Sequence, residues 1–198
     1  MIEVYQIAIL IFSAVFHEYM HGFAADRLGD PTARQSGRLT LNPIPHLDPI
    51  GSVFLPLLLI LSRASFVIGW AKPVPYNPYN LRDRRYGEAK VALAGPAANL
   101  ILAVVFGLIL RFVPVMSQTF AILLASIVYI NLVLMVFNLI PIPPLDGSKI
   151  LASLLPWDIK EKYLRLERYS LVILVLFIFV GFDWLLPIVS SLFRLIVG

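Results

Sequence analysis

The residues with the most chemical content lie together in His17-Glu18-Tyr19-Met20-His21. On a helix, positions i and i+4 stand on one face about one turn apart, so both imidazoles can reach a single metal ion. Glu18, between them, lies close enough to act on a water that the ion holds. The chain has 3 histidines, and this segment places two of them in the H-E-x-x-H arrangement of zinc hydrolases. Zinc lowers the pKa of a bound water from about 15.7 to about 7, and a carboxylate can then take its proton. The plain alternative is a helix end that carries incidental polar residues toward water. The apolar run in which the motif sits weighs against it, because ionisable groups inside a membrane helix are costly and mostly functional.

A catalytic zinc usually has three protein ligands and one open position. Asp146 is the strongest candidate for the third ligand. It follows an uncharged run from Phe112 to Leu145 and comes just after Pro141, Pro143 and Pro144, which must break the helix. Gly147 then offers an unusual backbone angle at the turn. Irregular backbone at membrane depth is tolerated where it lines a polar cavity. Asp146 could instead cap a helix starting near Ser148. His46 and Asp48, in the proline-rich run from Asn42 to Pro49, are the rival ligands, although a structural role or one behind the ligands is expected of both. Asn99 and Asn138 are polar residues on otherwise apolar helices. They either hydrogen-bond between helices or face the cavity and hold a substrate carbonyl or the developing oxyanion. Gly95, Ala97 and Ala98 read as residues that allow close helix packing.

The elements that must position these groups are membrane helices. The chain has 198 residues, of which 59% are hydrophobic and 14% charged, with a mean hydropathy of +0.84, whereas soluble domains carry about 25% charged residues. A helix needs about 20 apolar residues to cross the hydrocarbon core. Runs near 4–25, 91–112, 119–140 and 169–192 meet that length, the last with Asp183 inside it beside Trp184, where an interfacial position is expected. The expectation is an all-α polytopic membrane protein of about four full spans, forming a single domain over 1–198, with a short helix after Asp146. The N-terminus lacks the basic start and cleavage pattern of a signal peptide, so the first run reads as a mature helix. There is no cysteine, which excludes disulfides, cysteine nucleophiles and Cys-ligated metals.

One segment, 50–71, could span fully or enter and return, and a re-entrant or extended segment near 50–75 is the expectation, on two grounds. Basic residues cluster in 26–49 (Arg27, Arg34, Arg38), in 72–90 (Lys72, Arg82, Arg84, Arg85, Lys90) and in 149–168 (Lys149, Lys160, Lys162, Arg165, Arg168). If 50–71 enters and returns, all three stretches lie on one side, which the positive-inside rule makes the cytoplasm. The same topology puts the histidine end of the first helix and Asp146 on one face, as a shared metal requires. The active site is then expected toward the cytoplasmic side of the cell membrane. Gly69 to Pro75 reads as extended chain whose edge could pair with an unwound substrate. Arg82, Arg84 and Arg85 suit topology and anionic lipid. No separate basic domain supports nucleic-acid binding, and nothing in the sequence sets the oligomeric state.

His17–His21, the segment Gly95-Pro96-Ala97-Ala98-Asn99 and the segment from Asn138 to Gly147 together resemble the site-2 proteases in order and spacing. These are intramembrane zinc metalloproteases that cut substrates within or beside a membrane span. Trp70-Ala71-Lys72-Pro73-Val74-Pro75 and His46-Leu47-Asp48-Pro49 are similar to segments of the compact bacterial or archaeal branch, without an appended PDZ or CBS domain. The resemblance runs from the first helix to about Leu155. It implies His17, His21 and Asp146 as ligands of one Zn2+ per chain and Glu18 as the catalytic acid/base. It favours the cavity-facing reading of Asn99 and Asn138, and it implies a membrane-anchored protein as substrate. The rival from another class is a non-catalytic metal or proton carrier lined by the same polar residues. Against it, the motif supplies both a ligand pair and a base, and the chain lacks the internal repeat that many transporters show.

Overall fold

In lipid, backbone polar groups are satisfied within helices or closed barrels, and long continuous apolar runs without a barrel strand's alternation form helices. The computed structural model describes residues 2–54, 58, 61–62, 71–114 and 117–198. Helix α1 (Ile2–Arg27) carries the histidine motif and is followed by the single turn α2 (Thr32–Gln35). Helices α3 (Gly87–Phe112) and α4 (Gln118–Asn138) form a hairpin across the short connection at 113–117. Among the described residues, α1, α3 and α4 are long and apolar enough to cross a membrane. Ser117 opens α4 by accepting the Phe120 N–H at 3.3 Å, an ordinary N-cap. The helix ends at Asn138, three residues before Pro141, which cannot continue it.

Helix α3 is central and packs along both α1 and α4, which also touch each other. Ala103 of α3 lies in a core with Val128, Leu132 and Met135 of α4. Polar chemistry and small residues share α3: Gly95 faces α1, and a Cβ on Gly107 would lie 2.3 Å from the Ile196 side chain. The outward faces are apolar, with Phe12, Ile101, Leu108 and Phe120 all exposed. Such a surface would be a liability in water and suits lipid.

The chain continues through α5 (Asp146–Leu154), the short helix expected after Asp146, and then α6 (Trp157–Leu164) and a 3-10 turn, Arg165–Tyr169. The last apolar run is not one straight helix. It forms α7 (Ser170–Val180) and α8 (Leu185–Val197), bent by 69° about the turn Phe182–Trp184 that contains Asp183. Pro187 supplies the reason. Its nitrogen cannot donate to the carbonyl of Asp183, so a continuous helix through this point would lose a bond, whereas the first turn of a new helix tolerates proline. Neither half alone reaches the length of a span, so among the described residues three helices are long and apolar enough to cross, or four if the bent pair crosses as a unit. Phe137 lies 6.4 Å from Phe177 of α7, and Arg111 donates to the Leu195 carbonyl of α8 at 3.2 Å. The bent pair therefore leads from the Asn138 end of α4 to the Arg111 end of α3.

The re-entrant path expected over 50–71 runs largely through residues outside those described. Its flanks are described, and they meet. Leu47 and Ala71 form an antiparallel bridge, and the Lys72 N–H donates to the His46 carbonyl at 2.8 Å. Asp48 caps the π-helical turn Pro49–Phe54 by accepting from Ile50 and Gly51 at 3.0 and 2.7 Å. The three basic stretches share one end of the bundle: Arg38 donates to the Lys72 carbonyl at 3.0 Å, and Lys149 lies 5.2 Å from the centre of the Tyr76 ring.

Candidate metal centre

One turn of α1 separates His17 from His21, and the prolines after α4 turn the chain so that α5 starts beside them. His17 Nε2 and His21 Nε2 lie 3.0 Å apart. Asp146 Oδ2 lies 3.1 Å from His17 Nε2 and 3.2 Å from His21 Nε2. Among the described residues, these three form the group of side chains that could hold a metal ion. Ligands at about 2.0–2.1 Å and tetrahedral angles around zinc stand about 3.3 Å from one another, close to the three edges seen here. Both histidines are buried.

The donor set fits zinc in a second way. His21 Nδ1 is 2.7 Å from the Val91 carbonyl, which can only accept, so Nδ1 carries the proton and Nε2 presents a lone pair. In the neutral ring that lone pair faces a carboxylate oxygen, an arrangement that repels unless a metal ion or a proton lies between them, and two imidazoles with a carboxylate are a donor set that suits zinc. Gly95 of α3 is cut to the same shape. A Cβ there would sit 2.4 Å from His21 Nε2 and 2.6 Å from His17 Nε2, so no other residue lets α3 pass this close to the imidazoles.

Asp146 is the first residue of α5, and Leu145, with no side-chain bond, is the N-cap. The carboxylate is thus directed at the imidazoles and not at the helix start. Gly147 corrects an expectation. It has no positive φ, a feature that the described residues show only at Gly29, Gly37 and Gly198. What Gly147 provides is closeness, since a Cβ would lie 2.2 Å from the Leu139 carbonyl oxygen. The turn that returns the chain from α4 folds against its backbone.

Glu18 lines a cavity of about 130 Å³ together with His17, His21, Asp146, Asn138, Val74, Tyr76 and Lys149. The half-buried Glu18 carboxylate accepts the Val74 N–H at 2.9 Å. Val74 belongs to the extended chain after Ala71, and its side chain fills the notch at Gly22 of α1. Burial, with the Glu88 carboxylate beside it, pushes the Tyr76 phenol above its usual range. It stays protonated and donates toward Glu88 Oε1 at 3.4 Å. This loop is anchored by Asp30, which is fully buried and accepts from the Asn77 N–H at 2.6 Å and from Asn80 Nδ2 at 2.9 Å.

The other candidate residues divide. Asn138 lines the cavity, with its amide nitrogen committed to the Leu134 carbonyl at 2.9 Å. Asn99 does not reach the cavity. It is fully buried behind His17, with Oδ1 2.6 Å from His17 Nδ1 and Nδ2 2.8 Å from Asn131 Oδ1, which leaves no group to hold a substrate carbonyl. His46 and Asp48 stand outside the metal group. The His46 ring donates through Nε2 to the Thr40 carbonyl at 2.8 Å, and Asp48 is occupied as a cap. Both support the loop that carries Val74. Sequence reasoning missed Asn131, the Val74 N–H, Tyr76 and the place of Lys149. A signal for Asn131 exists, since it stands seven residues before Asn138, two turns along the same face of α4.

A bundle of apolar helices with two imidazoles, a carboxylate and a neighbouring glutamate at one buried centre defines a membrane-embedded zinc metalloprotease. Residues 113–181 match peptidase family M50. Two bacterial relatives carry the name "Putative zinc metalloprotease". YwhC of Bacillus subtilis (strain 168) is 40% identical over 187 residues, covering 88% of this chain and 80% of its own. Rip2 of Mycobacterium tuberculosis (strain ATCC 25618 / H37Rv) is 33% identical over 187 residues, covering 92% and 70%. No solved structure matches the chain. The chain belongs to peptidase family M50, the site-2 protease family, and is a zinc metalloendopeptidase of the membrane.

Proposed function

We propose that this protein hydrolyses peptide bonds in or near the membrane-spanning segments of membrane-anchored proteins, as a step of regulated intramembrane proteolysis. His17, His21 and Asp146 would hold the zinc, and Glu18 would act as the acid/base. The convergence of the three ligand atoms within 3.2 Å of one another, with Glu18 in the same cavity, carries this reading. Bound zinc supplies a Lewis acid for the scissile carbonyl and a water acidified to a pKa of about 7. Glu18 would serve as the acid/base at its carboxylate, holding a proton taken from the nucleophile until the leaving amine receives it. The Val74 N–H holds one carboxylate oxygen, so the other is aimed at the reacting groups. Asn138 and Lys149 stand on the cavity wall where substrate must lie, and exposed apolar faces keep the site at membrane depth.

The basic residues gathered at the site end support a cytoplasmic orientation. With no native cysteine, Arg84→Cys gives a single labelling position. Membrane-impermeant reagent should modify it in inverted vesicles and not in intact cells, and the opposite pattern rejects the orientation.

Glu18→Gln tests the mechanism. The variant should keep zinc while cleavage of a membrane-anchored peptide falls by at least about 10²–10⁴-fold, the range for a lost general acid/base. Cleavage at the wild-type rate would remove Glu18 from that role.

A further inference from the structure

We infer that Asn131, deep in α4, is a positioning residue that decides which nitrogen of His17 faces the metal. The argument starts at a group with only one possible role. The Ile127 carbonyl can only accept, and Asn131 Nδ2 lies 2.8 Å from it. The NH2 of Asn131 therefore points to Ile127, with Ser13 Oγ also 2.9 Å from it, and Oδ1 points the other way, to Asn99. Two amide oxygens would repel there, so Asn99 presents its Nδ2, at 2.8 Å. Its Oδ1 is then left for His17 Nδ1, at 2.6 Å. An amide oxygen cannot donate, so Nδ1 must carry the proton, and the lone pair falls on Nε2, the atom that meets His21 and Asp146.

No water competes along this chain. Asn99 and Asn131 are 0% exposed, Ser13 is 4% and His17 is 5%. Helix spacing supplies the geometry, with Ser13 one turn before His17 on α1 and Ile127 one turn before Asn131 on α4. His21 reaches the same state in one step through the Val91 carbonyl. His17 meets an amide oxygen in place of a backbone carbonyl, and takes two asparagines to do so. The partners of a metal-ligating histidine fix its tautomer and orientation, and removing one typically costs about 10–100-fold in metal affinity.

The inference rests on His17 as a metal ligand and not on peptide cleavage. Its test is zinc affinity of the full-length protein in detergent, by competition with a chelator. Asn131→Leu keeps the branching and the number of heavy atoms and removes the acceptor, and should bind zinc about 10–100-fold more weakly. Asn131→Asp, neutral at this buried position, can donate its O–H to the Ile127 carbonyl and accept from Asn99 with its other oxygen, and should restore the affinity, a rescue that a packing role would not give. Wild-type affinity in a folded Asn131→Leu overturns the inference, as does equal weakening in both variants. A second measurement needs no variant. In zinc-loaded wild-type protein labelled with 15N-histidine, His17 and His21 should carry the proton on Nδ1 and His46 on Nε2. A proton on Nε2 of His17 would overturn the inference whether or not the protein cleaves any peptide.

Discussion

The wall of the cavity that holds the histidines is made of three helices, whereas the wall that reaches Glu18 is a stretch of loop held through its backbone. On the helical side each imidazole is fixed by a buried partner, Val91 for His21 and Asn99 for His17, and α3 closes on both through Gly95. On the loop side, one N–H of Val74 meets the carboxylate, and the loop is anchored at a distance by Asp30. Adjacent residues of α1, His17 and Glu18, thus face unlike surroundings. The difference separates two tasks. In the proposed mechanism the helices would hold the ion in one geometry, and the loop would orient the proton carrier and bound the space that substrate enters. Damage to the first wall should remove metal, and damage to the second should slow turnover with metal in place.

The largest effect expected from a single small change is at Gly95. Gly95→Ala drives a methyl into both imidazoles, and overpacking of this kind costs about 1–3 kcal/mol. Zinc stoichiometry and cleavage should fall together, and a variant that retains full zinc would break the division of labour. Val74→Pro removes the N–H that holds Glu18. A hydrogen bond to a charged group contributes about 1.5–3 kcal/mol, so cleavage should fall about 10–100-fold while zinc content stays at the wild-type level. Loss of zinc in that variant would show that the walls are not independent.

The smallest effect belongs to the anchor. Burial alone would raise the pKa of Asp30, but the Thr32, Asn80 and Asn77 donors outweigh it and hold the carboxyl below the usual carboxylate range. A group with a lowered folded pKa stabilises the protein above its unfolded pKa and loses that contribution as pH falls through the folded value. Asp30→Asn should therefore lower stability by about 1–2 kcal/mol near neutral pH. The gap from wild type should close on acidification below the ordinary carboxylate range, as thermal unfolding at several pH values would show. A gap that widens in acid would contradict the assignment.

Much of the helical wall was legible from sequence, because its information is local. The i, i+4 pair places two imidazoles on one face wherever a helix forms, and an uncharged run ended by prolines marks where Asp146 leaves the helix. The role of Asn99 was not legible. A polar residue on an apolar helix looks the same whether it faces a cavity or the back of a ligand, and its partners His17 and Asn131 are 82 and 32 residues away. Ser13 and Asn131 meet across 118 residues. The loop wall works through backbone groups, which carry no residue signature at all. The break at Pro187 was readable in principle, but a run of apolar residues hid a missing donor. Gly147 was recognised as necessary for the wrong reason, since close approach and unusual φ both select glycine.

Metal content of the purified full-length protein beside His21→Ala and Asp146→Ala tests the central claim most directly. One ligand comes from within the first helix and the other from beyond the fourth, so a shared ion ties the whole arrangement together. The wild-type protein should hold about one zinc per chain, and each variant should lose it while remaining folded. Zinc lost with His21→Ala but retained at full stoichiometry and affinity with Asp146→Ala would contradict the three-ligand centre.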